Sequence, residues 1–168
     1  MKKEYTLTVY TEDQMAVMHK IIVILSRRKI TLESLNISTS EMDKMYRFTL
    51  VLNETFEIVR NVALQIEKVI EVFQCYYNTN EEIVWKQMAL FKVKTSSVIY
   101  PENTDLLFRK YNARYVTIEK DYTIFEVTGQ EDEINTLTVA LKQFELIECI
   151  KSGRIALSMN SESFQLND

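Results

Sequence analysis

Along this chain the spacing of apolar residues switches between a period of two and a helical period in a fixed order, and the order occurs twice. Over residues 5–10, Tyr5, Leu7 and Val9 point one way while Thr6, Thr8 and Tyr10 point the other, as in a strand. Residues 14–28 follow at helical spacing, with Met15, Met18, Ile22 and Leu25 on one face and Val17, Ile21 and Ile24 widening it. The segments "TLESLNIST" and "MYRFTLVLN" read as two strands joined by the polar "SEMDK"; in the second, Tyr46, Phe48, Leu50 and Leu52 alternate with Arg47, Thr49 and Val51. Thr55 is placed to cap a helix carrying Phe56, Val59, Val62, Ala63 and Ile66, after which "VIEVFQCYY" returns as a strand.

The same βαββαβ order follows from residue 82. "EIVWKQMALFKVKT" is a long strand, and Pro101 with Asn103 and Thr104 opens a short helix through Leu107 and Tyr111. "ARYVTIEKD" and "YTIFEVTG" form a hairpin across Asp121, and Gly129 precedes a helix with Ile134, Leu137, Leu141 and Phe144 on one face. "LIECIKSGRIALSM" closes the unit, and its "ELIECIKSG" portion faintly resembles "VIEVFQCYY" of the first. Such a unit folds as a four-stranded antiparallel sheet with both helices on one face. The prediction is an α+β chain of two ferredoxin-like βαββαβ units, residues 1–79 and 80–159, followed by a polar tail, 160–168, expected to be disordered. Tyr76 and Tyr77 in the first unit, and Ile83, Trp85 and Phe91 in the second, are assigned to the sheet faces that the helices leave open. One unit cannot cover both faces of its sheet, so units should pair, within the chain or between copies, and the chain should be at least a dimer.

Composition removes several classes of function. The formal net charge is -4 and the isoelectric point about 5.2, which argues against a general phosphate-binding surface. Tyr46 and Phe48 share a face of one strand, as base-stacking platforms do, yet core packing is the better account, so no nucleic-acid partner is expected. The two cysteines, Cys75 and Cys149, and the single histidine, His19, are too few and too scattered for a metal site or a catalytic triad. No glycine-rich phosphate loop fits around Gly129 and Gly153. The N-terminal segment lacks the apolar core of a signal peptide and no run reaches membrane-span length, so a cytoplasmic protein with no membrane partner is expected. No catalytic residue and no cofactor are assigned to the chain.

The first strand–helix turn stands out, because neither it nor the connection out of the helix contains glycine or proline. Thr11 with Gln14 fits a capping box, and Asp13 is a rival cap. A helix N-terminus offers unpaired N–H groups and a positive dipole end, a receptor for the carboxylate of a small amino acid. The turn at residues 11–16 is expected beside the start of the second strand, Thr31 and Leu32, with Met18 or Leu32 against the ligand's side chain.

These residues resemble the small regulatory subunits of acetohydroxyacid synthase (acetolactate synthase), which carry an N-terminal ACT domain and a second ferredoxin-like domain. The resemblance runs from Tyr5 to Met159 and is carried by "LSRRKITLESLNIS", "RFTLVL", "WKQMALFKV" and "IKSGRIALS". It implies a non-catalytic subunit that binds and activates a large catalytic subunit in branched-chain amino acid biosynthesis, with thiamine diphosphate, magnesium and FAD held by that partner. The alternative is a stand-alone ACT-type amino-acid sensor acting on another enzyme or regulator. In the family the turn reads roughly N-x-x-G-x-L; its asparagine and glycine, with an asparagine on the second strand of a neighbouring subunit, bind valine. In register these positions hold Asp13, Ala16 and Thr31, with Met18 at the leucine and Lys29 at a glycine before the second strand. The resemblance therefore implies a degenerate effector site at Asp13, Gln14, Met15, Ala16, Val17, Met18, Thr31 and Leu32.

Overall fold

A computed structural model describes residues 1–12, 14–98 and 102–160. The first six elements are β1 (Lys3–Thr11), α1 (Gln14–Arg27), β2 (Leu32–Thr39), β3 (Tyr46–Glu54), α2 (Phe56–Glu67) and β4 (Val72–Thr79). They form an antiparallel sheet in the order β2-β3-β1-β4, the order a βαββαβ ferredoxin-like unit requires. The second set is β5 (Ile83–Lys94), the one-turn α3 (Thr95–Val98), α4 (Glu102–Lys110), β6 (Arg114–Ile118), β7 (Tyr122–Gly129), α5 (Glu131–Leu141), β8 (Leu146–Lys151) and β9 (Ile155–Ser158). Its sheet runs β6-β7-β5-β8, and β9 also pairs with β5. The chain divides into two compact units, one of Met1–Trp85 with the stretch from Ile155, the other of Lys86–Arg154.

Each unit has its own core. In the first, Leu7, Val9, Phe48, Leu50 and Leu52 of the sheet meet Val17, Ile21 and Leu25 of α1 and Val59, Val62, Ala63 and Ile66 of α2. In the second, Ala89, Phe91, Val93, Phe125 and Val127 meet Phe108 of α4 and Ile134, Leu137 and Leu141 of α5. The start of α5 is closed by Glu133, whose Oε2 accepts the N–H of Gln130 at 2.8 Å. Gly129 leaves room for that carboxylate, since a Cβ there would lie 2.8 Å from the same oxygen.

Several expectations change. The buried line of α1 is Val17, Ile21 and Leu25, while Met15 and Ile22 are exposed. This helix is apolar around most of its circumference, so periodicity does not choose among neighbouring lines; packing in the first core does. Phe56 is exposed and meets Tyr77 edge-on with ring centroids 5.9 Å apart. Thr55 sits at the N-cap of α2 but makes no side-chain cap hydrogen bond. Tyr77 packs against the first core, and Phe91 lies wholly within the second, 5.4 Å from Phe125, so neither belongs to an open sheet face. Phe48 is fully buried, as core packing requires, so it offers no base-stacking platform. The closing strand is broken at Ser152–Arg154 into β8 and β9. Pro101 and the tail beyond Asn160 lie outside the described residues, as do the side chains of Asn103 and Thr104.

The glycine-free exit from α1 has a direct explanation. The N–H of Lys29 bonds to the carbonyl of Ser26 and that of Ile30 to the carbonyl of Leu25, both at 3.0 Å, which is a Schellman closure. Its left-handed position is filled by Lys29, with φ 56°. The hydrophobic partners of the motif, Leu25 and Ile30, are both buried in the first core. The second unit repeats the device after α4: Asn112 bonds to Arg109, Ala113 to Phe108, and Asn112 has φ 49°.

Candidate effector site

The first turn of α1 is built against the loop that enters β4. The Glu71 carbonyl accepts the hydroxyl of Thr11 at 2.8 Å and the N–H of Glu12 at 3.0 Å. The Glu71 carboxylate accepts Lys20 Nζ through both oxygens, at 2.8 and 2.7 Å. The Lys20 ammonium, and after it a hydrogen bond from its own main chain, hold the Glu71 carboxyl below the usual carboxylate range. The pair is partly exposed, so solvent screens it.

The second unit repeats this arrangement. The Glu145 carbonyl accepts the N–H of Lys94, and its carboxylate takes Lys94 Nζ at 3.0 Å and the Ser97 hydroxyl at 2.9 Å. Beyond each glutamate the strand carries an extra, exposed apolar residue at a bulge, Phe73 or Ile147, and then a cysteine, Cys75 opposite Val9 or Cys149 opposite Phe91. The faint likeness of "EVFQC" and "ELIEC" was thus a readable sign of equivalent positions, although Glu71 and Lys20 were not among the expected site residues. Burial pushes the Cys75 thiol up to about 12.

The expected site residues fall into two groups. Asp13 lies outside the described residues. Gln14, Met15, Ala16, Val17 and Met18 form the first turns of α1; Met15 is exposed, Gln14 and Ala16 are half-buried, Met18 packs onto the core and Val17 is buried within it. Thr31 is exposed just ahead of β2, and Leu32 begins that strand. The expectation that these lie beside the turn is corrected by the register. Thr11 is level with Tyr46 and Thr39, whereas Leu32 is level with Leu52 and Tyr5, at the other end of the sheet. Tyr5 and Thr11 are six residues apart on β1, about 20 Å of strand. The physical cause is that α1 runs back along the sheet before β2 begins parallel to β1. Within one chain the two groups do not meet.

Among the described residues no group of three or more His, Cys, Asp or Glu side chains is placed to hold a metal ion. No helix among them is long and apolar enough to cross a membrane.

Comparison with known proteins bears on what such a turn serves. Residues 86–160 match the family model described as the small subunit of acetolactate synthase. The chain is 28% identical to the probable acetolactate synthase small subunit of Archaeoglobus fulgidus, over 92% of this chain and 96% of that protein. Over these lengths the chain is similar to acetolactate synthase small subunits. The small subunit of Bacillus subtilis is 26% identical over 96% of this chain and 93% of its own. The crystal structure of the Thermotoga maritima small subunit has the same fold, with a TM-score of 0.81 and 20% identity over 93% of this chain and 97% of that one.

Proposed function

We propose that this chain is the non-catalytic regulatory subunit that binds the large catalytic subunit of acetolactate synthase and raises its activity, with a valine effector site that has degenerated. The observation that carries the proposal is the match to small subunits across nearly the full length of both proteins, in sequence and in fold. Thiamine diphosphate, magnesium and FAD would be held by the large subunit. The partition of the effector residues between two ends of one sheet supports a homodimer, in which Thr31 and Leu32 of one copy complete the turn of the other.

The altered turn supports weak valine binding. A methyl at Ala16 stands where the backbone would approach the ligand, and Asp13 would oppose a ligand carboxylate by roughly 1 to 4 kcal/mol at contact range. The experiment is reconstitution: the purified chain added to its cognate large subunit should raise the rate of acetolactate formation, and the chain alone should show none. An unchanged rate in a verified complex would overturn the proposal and favour a stand-alone ACT-type sensor.

A further inference from the structure

The strand β6 is an edge of the second sheet, and its sequence, Arg-Tyr-Val-Thr-Ile, is strongly strand-forming. It is also apolar and open: Tyr115, Val116 and Ile118 are 46%, 54% and 57% exposed. Edges of this kind are usually blunted by charge or by a bulge, and β6 carries a bulge at Val116.

The bulge here makes the edge self-complementary. The N–H of Glu119 bonds to the carbonyl of Tyr122 at 2.8 Å, so the hairpin opens on a hydrogen-bonded pair. Alternation along β7 then makes Thr123 and Phe125 the positions whose partners turn their N–H and C=O groups away from β7. Those partners are Ile118 and Tyr115, brought three residues apart by the bulge. Both share the face of the buried Thr123 and Phe125, where the Tyr115 ring lies 5.1 Å from Phe108. Arg114, opposite Glu126, and Glu119, opposite Tyr122, lie on the other face.

A second copy laid antiparallel on this edge about a two-fold axis can place Tyr115 against Ile118 of that copy. The two outward-turned residues then bond to each other, on matching faces, and an aromatic ring meets a β-branched side chain, a favourable cross-strand pair. In the same register Arg114 falls opposite Glu119 of the second copy and Val116 opposite Thr117. A shift by one residue would set outward groups against inward ones and separate the charges. We propose that β6 is an interface between two copies of this chain, joined as antiparallel strands in the register Tyr115 to Ile118, separate from any pairing through the first unit. The occupant is another copy because the charge order along the strand, arginine at one end and glutamate at the other, complements itself under a two-fold axis.

The test is cross-linking of the full chain. With Cys149→Ala to remove the half-buried thiol, the double variant Tyr115→Cys/Ile118→Cys should oxidise to a covalent dimer, since residues opposed across a hydrogen-bonded strand pair lie about 5.5 Å apart, within disulfide reach. Within one chain the bulge sets these positions only about 7 Å apart, at the limit of disulfide reach, so an equal mixture of Tyr115→Cys copies and Ile118→Cys copies, neither able to bridge internally, should give the same covalent dimer. Adding Arg114→Glu or Glu119→Arg should each slow cross-linking about fivefold or more, because both symmetric contacts become like-charge pairs; Glu119→Arg is the cleaner of the two, since Arg114 also pairs with Glu126 of its own chain. The two charge changes together should restore the rate. A chain that stays monomeric on denaturing gels after oxidation, or a rate indifferent to both charge changes, would overturn the interface. Neither outcome touches the regulatory proposal, which is tested with the large subunit.

Discussion

Thr11 and Leu32 stand at opposite ends of one sheet, Thr11 level with Thr39 and Leu32 level with Tyr5. An effector held by both ends of this pattern must bridge two copies. Calorimetry with valine should show binding about tenfold or more weaker for the natural chain than for one carrying Asp13→Asn, Ala16→Gly and Thr31→Asn. The geometry adds a sharper expectation. Copies carrying only Asp13→Asn and Ala16→Gly, mixed with copies carrying only Thr31→Asn, should recover valine binding in mixed dimers. Absence of recovery, with subunit exchange verified, would show that Thr31 of a second copy takes no part in the site.

Lys29 holds φ 56°, a conformation that costs a residue with a Cβ about 1 to 2 kcal/mol. Lys29→Gly should therefore stabilise the first unit by about 0.5 to 1 kcal/mol after the added freedom of glycine in the unfolded chain is subtracted. The check is a rise in the urea midpoint at unchanged slope; a fall would show that the Lys29 side chain supplies a compensating contact.

The buried line of α1 makes a paired prediction. Leu25→Ala removes a side chain that is 3% exposed and should cost about 2 to 5 kcal/mol. Ile22→Ala, at 47% exposure, should cost well under half as much. Equal losses in chemical denaturation would mean that α1 buries a different face in solution.

The Lys20–Glu71 pair gives a pH dependence of known sign. Its folded carboxyl lies below the ordinary value of 4.5, so the unfolded chain binds the proton first as pH falls. The contribution is fully present above that value and is lost as pH drops through the lowered folded one. Glu71→Gln should therefore lower the denaturation midpoint at about pH 7, and the difference should shrink at acidic pH as the folded carboxyl itself takes up the proton. A difference that persists at the acidic pH would assign the loss to the main-chain contacts of Glu71 with Thr11 and Glu12.

Where a residue has one structural option, the linear order already shows it. Leu7 and Val9 in β1, Phe48, Leu50 and Leu52 in β3, and Val59, Val62, Ala63 and Ile66 in α2 are all buried as their spacing requires. The pattern is unambiguous there because polar residues mark the opposite face. In α1 the apolar residues run nearly around the helix, and Met15 and Ile22 were assigned to a face that Val17 and Ile21 occupy. Phe91 was misplaced for a related reason: β5 carries large apolar residues at both parities, including the exposed Met88 and Leu90.

The order and type of the elements, the repetition of like units and the family likeness are thus properties of the sequence itself, since local periodicity and turn chemistry act between residues close in the chain. Three things were left to the tertiary structure. It chose which line of α1 is buried. It showed that Lys29 and Asn112 close helices in a conformation usually left to glycine, held by bonds to carbonyls on the preceding turn. It also separated Thr31 and Leu32 from the turn they were expected to adjoin. That separation depends on strand direction and register, which long-range hydrogen bonds set and no local pattern of residues encodes.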